Sequence, residues 1–128
     1  MTTQSLIDLQ DRIVVTTANA IKGEWDAAVI DIEIDHVDGE QTENCLALSF
    51  RLQQGDWKRS SFQLPFECYD LFVTLRDASS GQRWTSCTLE FDSNGKYNFG
   101  YSYEPPRRLN GIHDDEAMLK NYLPGSFS

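Results

Sequence analysis

A strict alternation of apolar and acidic residues constrains the fold of this chain more than any other feature. Residues 29–35 read VIDIEID, so that isoleucines alternate with Asp31, Glu33 and Asp35. Successive side chains of a β-strand point to opposite faces of a sheet. The pattern therefore predicts a strand over residues 27–37, with the isoleucines in the core and the carboxylates on the other face.

Turn signals and further alternation extend this strand into a sheet. Asp38-Gly39 is typical of a tight hairpin turn, and a second strand is predicted over residues 44–52. The large apolar residues of that strand are expected to face the core: Leu46, Leu48, Phe50 and Leu52. Three more strands are predicted over residues 57–64, 84–92 and 96–103.

Helical spacing occurs in three other segments. The first helix is predicted over residues 6–22, begun by a Ser5–Asp8 capping box and ended by Gly23. Pro65 suits the first position of a second helix over residues 66–78. A short terminal helix is predicted over residues 114–123, because three acids at its start favour the positive end of the helix dipole.

The turn DSNGK sets the register of the last two strands. A two-residue loop would place carboxylates and aromatic side chains on one face, whereas a three-residue loop with left-handed Gly95 unites the apolar residues. We therefore predict a bulge at Gly95 and substantial burial of four side chains: Leu89, Phe91, Tyr97 and Phe99.

The order of these segments predicts the fold class. Two or three strands follow the first helix, two more follow the second, and every connection is a hairpin or passes through one helix. This order indicates a single α+β domain over residues 1–128. Its sheet is expected to be mainly antiparallel, with four to five strands, an N-terminal helix, a middle helix and a short C-terminal helix.

Charge restricts the partners of the protein. The formal net charge of the 128 residues is −9, which argues against direct nucleic-acid binding and against anionic membrane surfaces. Between Glu24 and Glu43 there are eight acids and no lysine or arginine. Because the acidic excess is local, it indicates a basic partner surface.

Catalytic motifs are not evident. His36 and His113 lie far apart, and the acidic run fails the calcium-loop pattern. The three cysteines, Cys45, Cys68 and Cys87, match neither a disulfide framework nor a metal site. We therefore expect no enzyme, no metal and no cofactor. Reduced thiols, together with an N-terminus that lacks the features of a secretory signal, predict a cytoplasmic protein.

Aromatic residues alternate along the last strand. Tyr97, Phe99, Tyr101 and Tyr103 share one face, which resembles a base-stacking platform. The acidic net charge favours a core role for this face instead. Tyr101 and Tyr103 are nearest the strand end and remain candidates for contact with a partner.

Three segments resemble the YezG-like family of bacterial immunity proteins. The first is Gly23-Glu24-Trp25, between the N-terminal helix and the acidic strand. The second runs from Arg83 to Glu104 and matches the family's order of tryptophan, apolar strand, Gly-Lys-aromatic turn and Tyr-x-Tyr-acid strand, although Glu104 stands where the family pattern has aspartate. The third is the closing helix, with Leu119, Tyr122 and Leu123.

The resemblance implies a non-enzymatic protein that binds a cognate toxin C-terminal domain, often a nuclease, inside the cell. An acidic face would complement the basic cleft of a nuclease. The residues expected to bind the partner are Asp31, Glu33, Asp35, Asp38, Glu40, Tyr101, Tyr103 and Glu104. Three alternatives stay open: a solvated outer sheet face, a metal-dependent hydrolase using the acids between Asp31 and Glu40, and a general acidic adaptor.

Overall fold

The computed structural model describes residues 3–78 and 81–112, which form two α-helices and one five-stranded sheet. The helices are α1 (Thr3–Ala20) and α2 (Phe66–Asp77), and a 3₁₀ helix covers Arg108–Asn110. The strands are β1 (Ala27–Val37), β2 (Glu40–Gln53), β3 (Asp56–Ser61), β4 (Ser86–Asp92) and β5 (Tyr97–Ser102). The predicted terminal helix over residues 114–123 lies outside the described residues.

The sheet is antiparallel throughout, with the strand order β3-β2-β1-β4-β5. The acidic strand β1 is central and has the predicted bounds. Asp38 and Gly39 both have positive φ, 54° and 83°, as a type I′ hairpin turn requires. The predicted α+β fold with a mainly antiparallel sheet is therefore confirmed.

Both helices pack on one face of this sheet, which we call the helix face. Ile30, Ile32 and Ile34 of β1 lie there and are 0% exposed. They form the main core with the buried sides of α1 and α2 and with alternate residues of β4. No helix among the described residues is long and apolar enough to cross a membrane.

The ends of α1 differ from the prediction. Leu9 and Ile13 are buried on one face, as the spacing indicated. The helix, however, already includes Thr3, so Ser5 lies within it and the predicted capping box is not at its start. At the other end the helix stops at Ala20, whereas the left-handed Gly23 follows three residues later.

The predicted face of β2 is wrong. Residues paired directly in an antiparallel sheet share a face. Ala47 pairs with Ile30 and lies on the helix face, whereas Leu46 pairs with Asp31 and Leu48 with Val29 on the opposite side. That opposite side, which we call the second face, carries its own apolar cluster: Ala27, Val29, Leu48 and Phe50.

The predicted bulge between β4 and β5 is confirmed. Leu89 pairs with Phe99, and Phe91 pairs with Tyr97. Gly95 has a φ of 89°, which is the left-handed conformation that the three-residue loop requires. Leu89 and Phe91 are buried, while Tyr97 and Phe99 are half-buried against the same core.

The second face is covered in part by the chain that follows β5. The 3₁₀ helix contacts β1 and β2; its first residue, Arg108, is buried, and so is Pro106 just before it. A polar second face open to water was expected. The segment instead brings a guanidinium group onto the carboxylate row of β1.

Candidate interaction surface

The carboxylate row of β1 divides into a buried part and an exposed part. Asp31 and Glu33 are 8% and 4% exposed, whereas Asp35 is half-buried and Asp38 is exposed. The expectation that the whole row faces water without a basic neighbour is therefore wrong for the first two residues. They cannot lie in a docking surface that a partner reaches from solvent.

Arg108 is the basic partner of both buried acids. Its Nη2 donates to Asp31 Oδ1 at 3.0 Å, and its Nη1 lies 3.7 Å from Glu33 Oε2. The Nε group donates to Asn44 Oδ1 at 2.6 Å, and Thr88 Oγ1 donates to Asp31 Oδ2 at 3.1 Å. These contacts give the buried charges the pairing and hydrogen bonding that charges taken out of water require.

Glu33 also holds the start of the 3₁₀ helix. Its two carboxylate oxygens accept the backbone N–H groups of Arg108 at 3.2 Å and Leu109 at 3.0 Å. The first N–H groups of a helix have no partner within the helix, so an anion at this position satisfies them. Glu33 therefore fixes the segment after β5 onto the second face.

Asp35 stands at the boundary between the two parts of the row. Its Oδ1 accepts the backbone N–H of His36 at 2.9 Å and lies 3.9 Å from Nη2 of Arg76 in α2. The Arg76 side chain is 5% exposed and donates through Nε to the carbonyl oxygen of Trp84 at 2.7 Å. The Asp35 side chain is 36% exposed and so remains accessible to a partner.

The other predicted carboxylates lie near Asp35, at the end of the sheet that carries the β1–β2 turn. Asp38 lies in the β1–β2 turn and Glu40 begins β2; both are exposed, and Glu104 follows the end of β5. Within residues 3–78 and 81–112, neither Asp38 nor Glu40 forms an ion pair. We call this surface the acidic end; it comprises Asp35, Asp38, Glu40, Glu43 and Glu104.

Glu43 belongs to this surface and was not among the predicted residues. It is exposed and pairs with Ile34, so its side chain lies at this end of the sheet on the helix face. The signal was present in the sequence, because a two-residue turn at Asp38-Gly39 fixes which residue of β2 lies opposite each residue of β1.

The two tyrosines take different positions. The Tyr101 ring packs against Trp84 with ring centroids 6.0 Å apart, and its hydroxyl accepts a hydrogen bond from Gln10 of α1. Burial raises the pKa of Tyr101. Tyr101 is nevertheless 38% exposed, and Tyr103, which lies beyond β5, is 49% exposed. Tyr101 therefore braces α1 against the sheet while part of its ring stays exposed, and Tyr103 is available at the acidic end.

A short chain of contacts joins Glu104 to β1. The backbone N–H of Ile34 donates to the Thr85 carbonyl at 2.9 Å, and the Thr85 hydroxyl donates to the carbonyl of Glu104. The backbone N–H of Glu104 itself donates to Ser102 Oγ at 3.3 Å. These bonds hold the Glu104 backbone beside the strand that carries Asp35, so both residues belong to one end of the sheet.

Two observations on the described residues concern chemistry: the arrangement of metal-ligating side chains and the acidity of the thiols. No group of three or more histidine, cysteine, aspartate or glutamate side chains within residues 3–78 and 81–112 is arranged to hold a metal ion. Burial raises the pKa of the Cys68 and Cys87 thiols, and burial raises that of Cys45 to about 12. A thiol with a raised pKa is a poor nucleophile at neutral pH.

We expect the thiols of the native protein to react slowly with Ellman's reagent at pH 8. A Cys45 pKa of about 12 leaves about one molecule in ten thousand as thiolate at that pH. In guanidinium chloride all three thiols should react rapidly. Rapid reaction of every thiol in native buffer, at the rate of free cysteine, would contradict the burial described here.

The same burial predicts a loss of stability in alkali. The folded pKa of Cys45 is raised to about 12, above the unfolded value of about 8.5. The unfolded state therefore releases its proton first, and the free energy of unfolding should fall as the pH rises from about 8.5 towards 12. Urea midpoints across this range measure the effect, and a Cys45→Ala variant should show a smaller slope.

Comparison with known proteins adds no family assignment. No protein-family model matches this chain, and a search of curated proteins finds no significant relative. Arguments about its activity therefore rest on the geometry of the acidic end.

Proposed function

We propose that this chain is an immunity protein of the bacterial cytoplasm, which binds and neutralises a cognate toxin domain through its acidic end. The observation that supports the proposal is the gathering of accessible carboxylates at one end of the sheet. Asp38 and Glu40 form no ion pair within the described residues. The proposal agrees with the resemblance of the sequence to YezG-like immunity proteins.

The charge of the acidic end suits a nuclease. A protein that cuts RNA or DNA needs clustered lysine and arginine side chains to contact phosphates. An inhibitor with the opposite potential is steered to that cleft and associates faster than a neutral one. A basic toxin domain, rather than a nucleic acid, is therefore the partner that the net charge of −9 favours.

Asp31 and Glu33 have a supporting role in this proposal. Their contacts with Arg108 hold the segment after β5 against β1 and β2. Asp35 lies on the same strand, two residues after Glu33. Because β1 is held in place at Asp31 and Glu33, the exposed carboxylates that follow keep a fixed arrangement. A rigid acidic surface loses less conformational entropy on binding than a flexible one.

A hydrolase that uses the acids between residues 31 and 40 is the weaker alternative. Asp31 and Glu33 already accept hydrogen bonds from Arg108, Leu109 and Thr88. A metal ion at this position would compete with the guanidinium group for the same oxygens. The contacts of these two acids therefore support a structural role over ligation.

Charge reversal at the hairpin turn tests the docking surface. In the double variant Asp38→Lys with Glu40→Lys, association with the candidate toxin, the product of the adjacent upstream gene, should slow by about tenfold at low salt. The rate should also depend less on salt concentration. Stopped-flow or biosensor kinetics at several salt concentrations measure both effects.

The matched control reverses two exposed acids outside the acidic end, Asp56 and Asp70. The double variant Asp56→Lys with Asp70→Lys has the same net charge as the test variant, so any difference between them reports position. Equal association rates for the two variants would contradict docking at the acidic end. Circular dichroism melts of both variants confirm that the fold is retained.

A further inference from the structure

Strand β3 forms one edge of the sheet, and all six of its residues are exposed. Such an edge presents backbone N–H and C=O groups that can pair with another chain. Every residue of β3 pairs with a residue of the longer strand β2. Because β2 also pairs with β1, the edge strand is attached to the rest of the sheet along its whole length.

The hydrogen-bond pattern identifies the free groups of this edge. The backbone N–H of Phe62 donates to the Ala47 carbonyl at 3.1 Å. Hydrogen-bonded pairs alternate along an antiparallel ladder, so Ser60 with Ser49 is also a bonded pair in this register. It follows that Trp57, Arg59 and Ser61 direct their backbone N–H and C=O groups away from β2.

A groove of about 510 Å³ lies beside the same edge. Its lining combines apolar surface with polar side chains from both sides: Asn19 and Lys22 around the end of α1, and Ser60, Ser61 and Gln63 around the end of β3. Amide and hydroxyl groups of this kind can pair with the main chain and the side chains of an extended peptide. The groove and the free edge thus meet at Ser60 and Ser61.

The charge here is opposite to that of the acidic end. Lys58 and Arg59 lie on β3, and Lys22 lines the groove; all three are exposed. In the part of the chain that the structure describes, none of them forms an ion pair. An acidic segment would be attracted to this edge, whereas a basic one would be repelled.

We propose that the free edge of β3 binds an extended acidic segment of a partner protein as a sixth strand of the sheet. The added strand pairs with the backbone groups of Trp57, Arg59 and Ser61, and its carboxylates meet Lys58, Arg59 and Lys22. Strand addition of this kind obtains affinity from main-chain hydrogen bonds and specificity from alternate side chains. This surface is separate from the acidic end.

Selection from a random peptide display library on the immobilised protein tests the proposal. We expect the enriched peptides to be rich in aspartate and glutamate and in β-branched residues. Their synthetic versions should bind in a fluorescence anisotropy titration. Amide hydrogen exchange should slow at Trp57, Arg59 and Ser61 in the complex, because those N–H groups become hydrogen-bonded.

A proline substitution at the free edge distinguishes binding by main-chain hydrogen bonds from binding by charge attraction alone. Ser61→Pro removes an outward N–H and no ladder bond, so the fold should persist while peptide affinity falls by at least about tenfold. Ser61→Ala is the matched control and should bind normally. The double variant Lys58→Glu with Arg59→Glu should also lose binding, with the backbone edge intact.

Three results would overturn the proposal. The first is that no acidic peptide is enriched. The second is that enriched peptides bind the Ser61→Pro variant as tightly as the wild type. The third is a homodimer, seen by light scattering, that Ser61→Pro dissociates, because it would assign the edge to a second copy of this chain.

Discussion

Replacing Arg108 by alanine is expected to destabilise the protein by about 3–5 kcal/mol, because it leaves buried carboxylates without their cation. Asp31 and Glu33 are 8% and 4% exposed, so both carboxylates depend on the guanidinium group for charge pairing in the folded protein. The removed side chain also bonds Asn44 at 2.6 Å and the Asp31 carbonyl at 3.0 Å. Urea denaturation at pH 7 gives the change in the free energy of unfolding.

Arg107→Ala is the matched control, since Arg107 is exposed and adjacent in sequence. Its effect should lie within about 0.5 kcal/mol of zero. The triple variant Arg108→Ala, Asp31→Asn, Glu33→Gln should recover part of the loss, because neutral amides are less costly to bury than unpaired carboxylates. A loss below about 1 kcal/mol for Arg108→Ala would mean that the ion-pair cluster contributes little.

Replacing Phe91 by alanine should cost about 3–5 kcal/mol through lost burial and the cavity left behind. Phe91 is 4% exposed, and its ring meets that of Trp25 edge to face, with centroids 5.4 Å apart. It also pairs with Tyr97 across the bulged hairpin. Because domains of this size are stable by only about 5–15 kcal/mol, much of the total would be lost.

Phe99→Ala provides the comparison on the neighbouring strand. Phe99 is only half-buried, so its replacement should cost less than that of Phe91. Thermal or urea unfolding of the two variants ranks them directly. A Phe91→Ala loss below about 1 kcal/mol, or the reverse ranking, would contradict the register that places Phe91 in the core.

Local patterns predicted the central strand and the last hairpin well. The bounds of β1 follow from its period of two, because one register alone puts all the isoleucines in the core. The bulge at Gly95 follows from the same rule applied to two strands at once. In both cases the information lies within a few residues of the element that it determines.

The faces of β2 were predicted wrongly for a physical reason. The strand is apolar on both sides, so large leucines suggested the core side while Ala47 and Cys45 in fact face the helices. Large and small residues alternate along β2, but this alternation does not show which set faces the helices. In the structure the small residues lie on the helix face and the large residues lie on the second face. The Asp38-Gly39 turn carried the missing signal, since its two-residue loop sets Leu46 opposite Asp31.

The pairing of the carboxylate row could not be read from local sequence. Arg108 follows Asp31 by 77 residues, and its approach depends on how the chain returns over the second face after β5. Absence of a nearby lysine or arginine in the sequence is therefore poor evidence that an acid is unpaired. The exposed acids of the turn were easier to predict, because a tight hairpin turn projects into solvent.

Survival of bacteria that express the candidate toxin, the product of the gene immediately upstream, is the most direct test of toxin neutralisation through the acidic end. Wild-type protein, supplied at limiting levels from a second plasmid, should preserve viable counts. The double variant Asp38→Lys with Glu40→Lys should protect fewer cells at the same level of folded protein. Equal protection by the variant, or no protection by the wild type, would contradict the account.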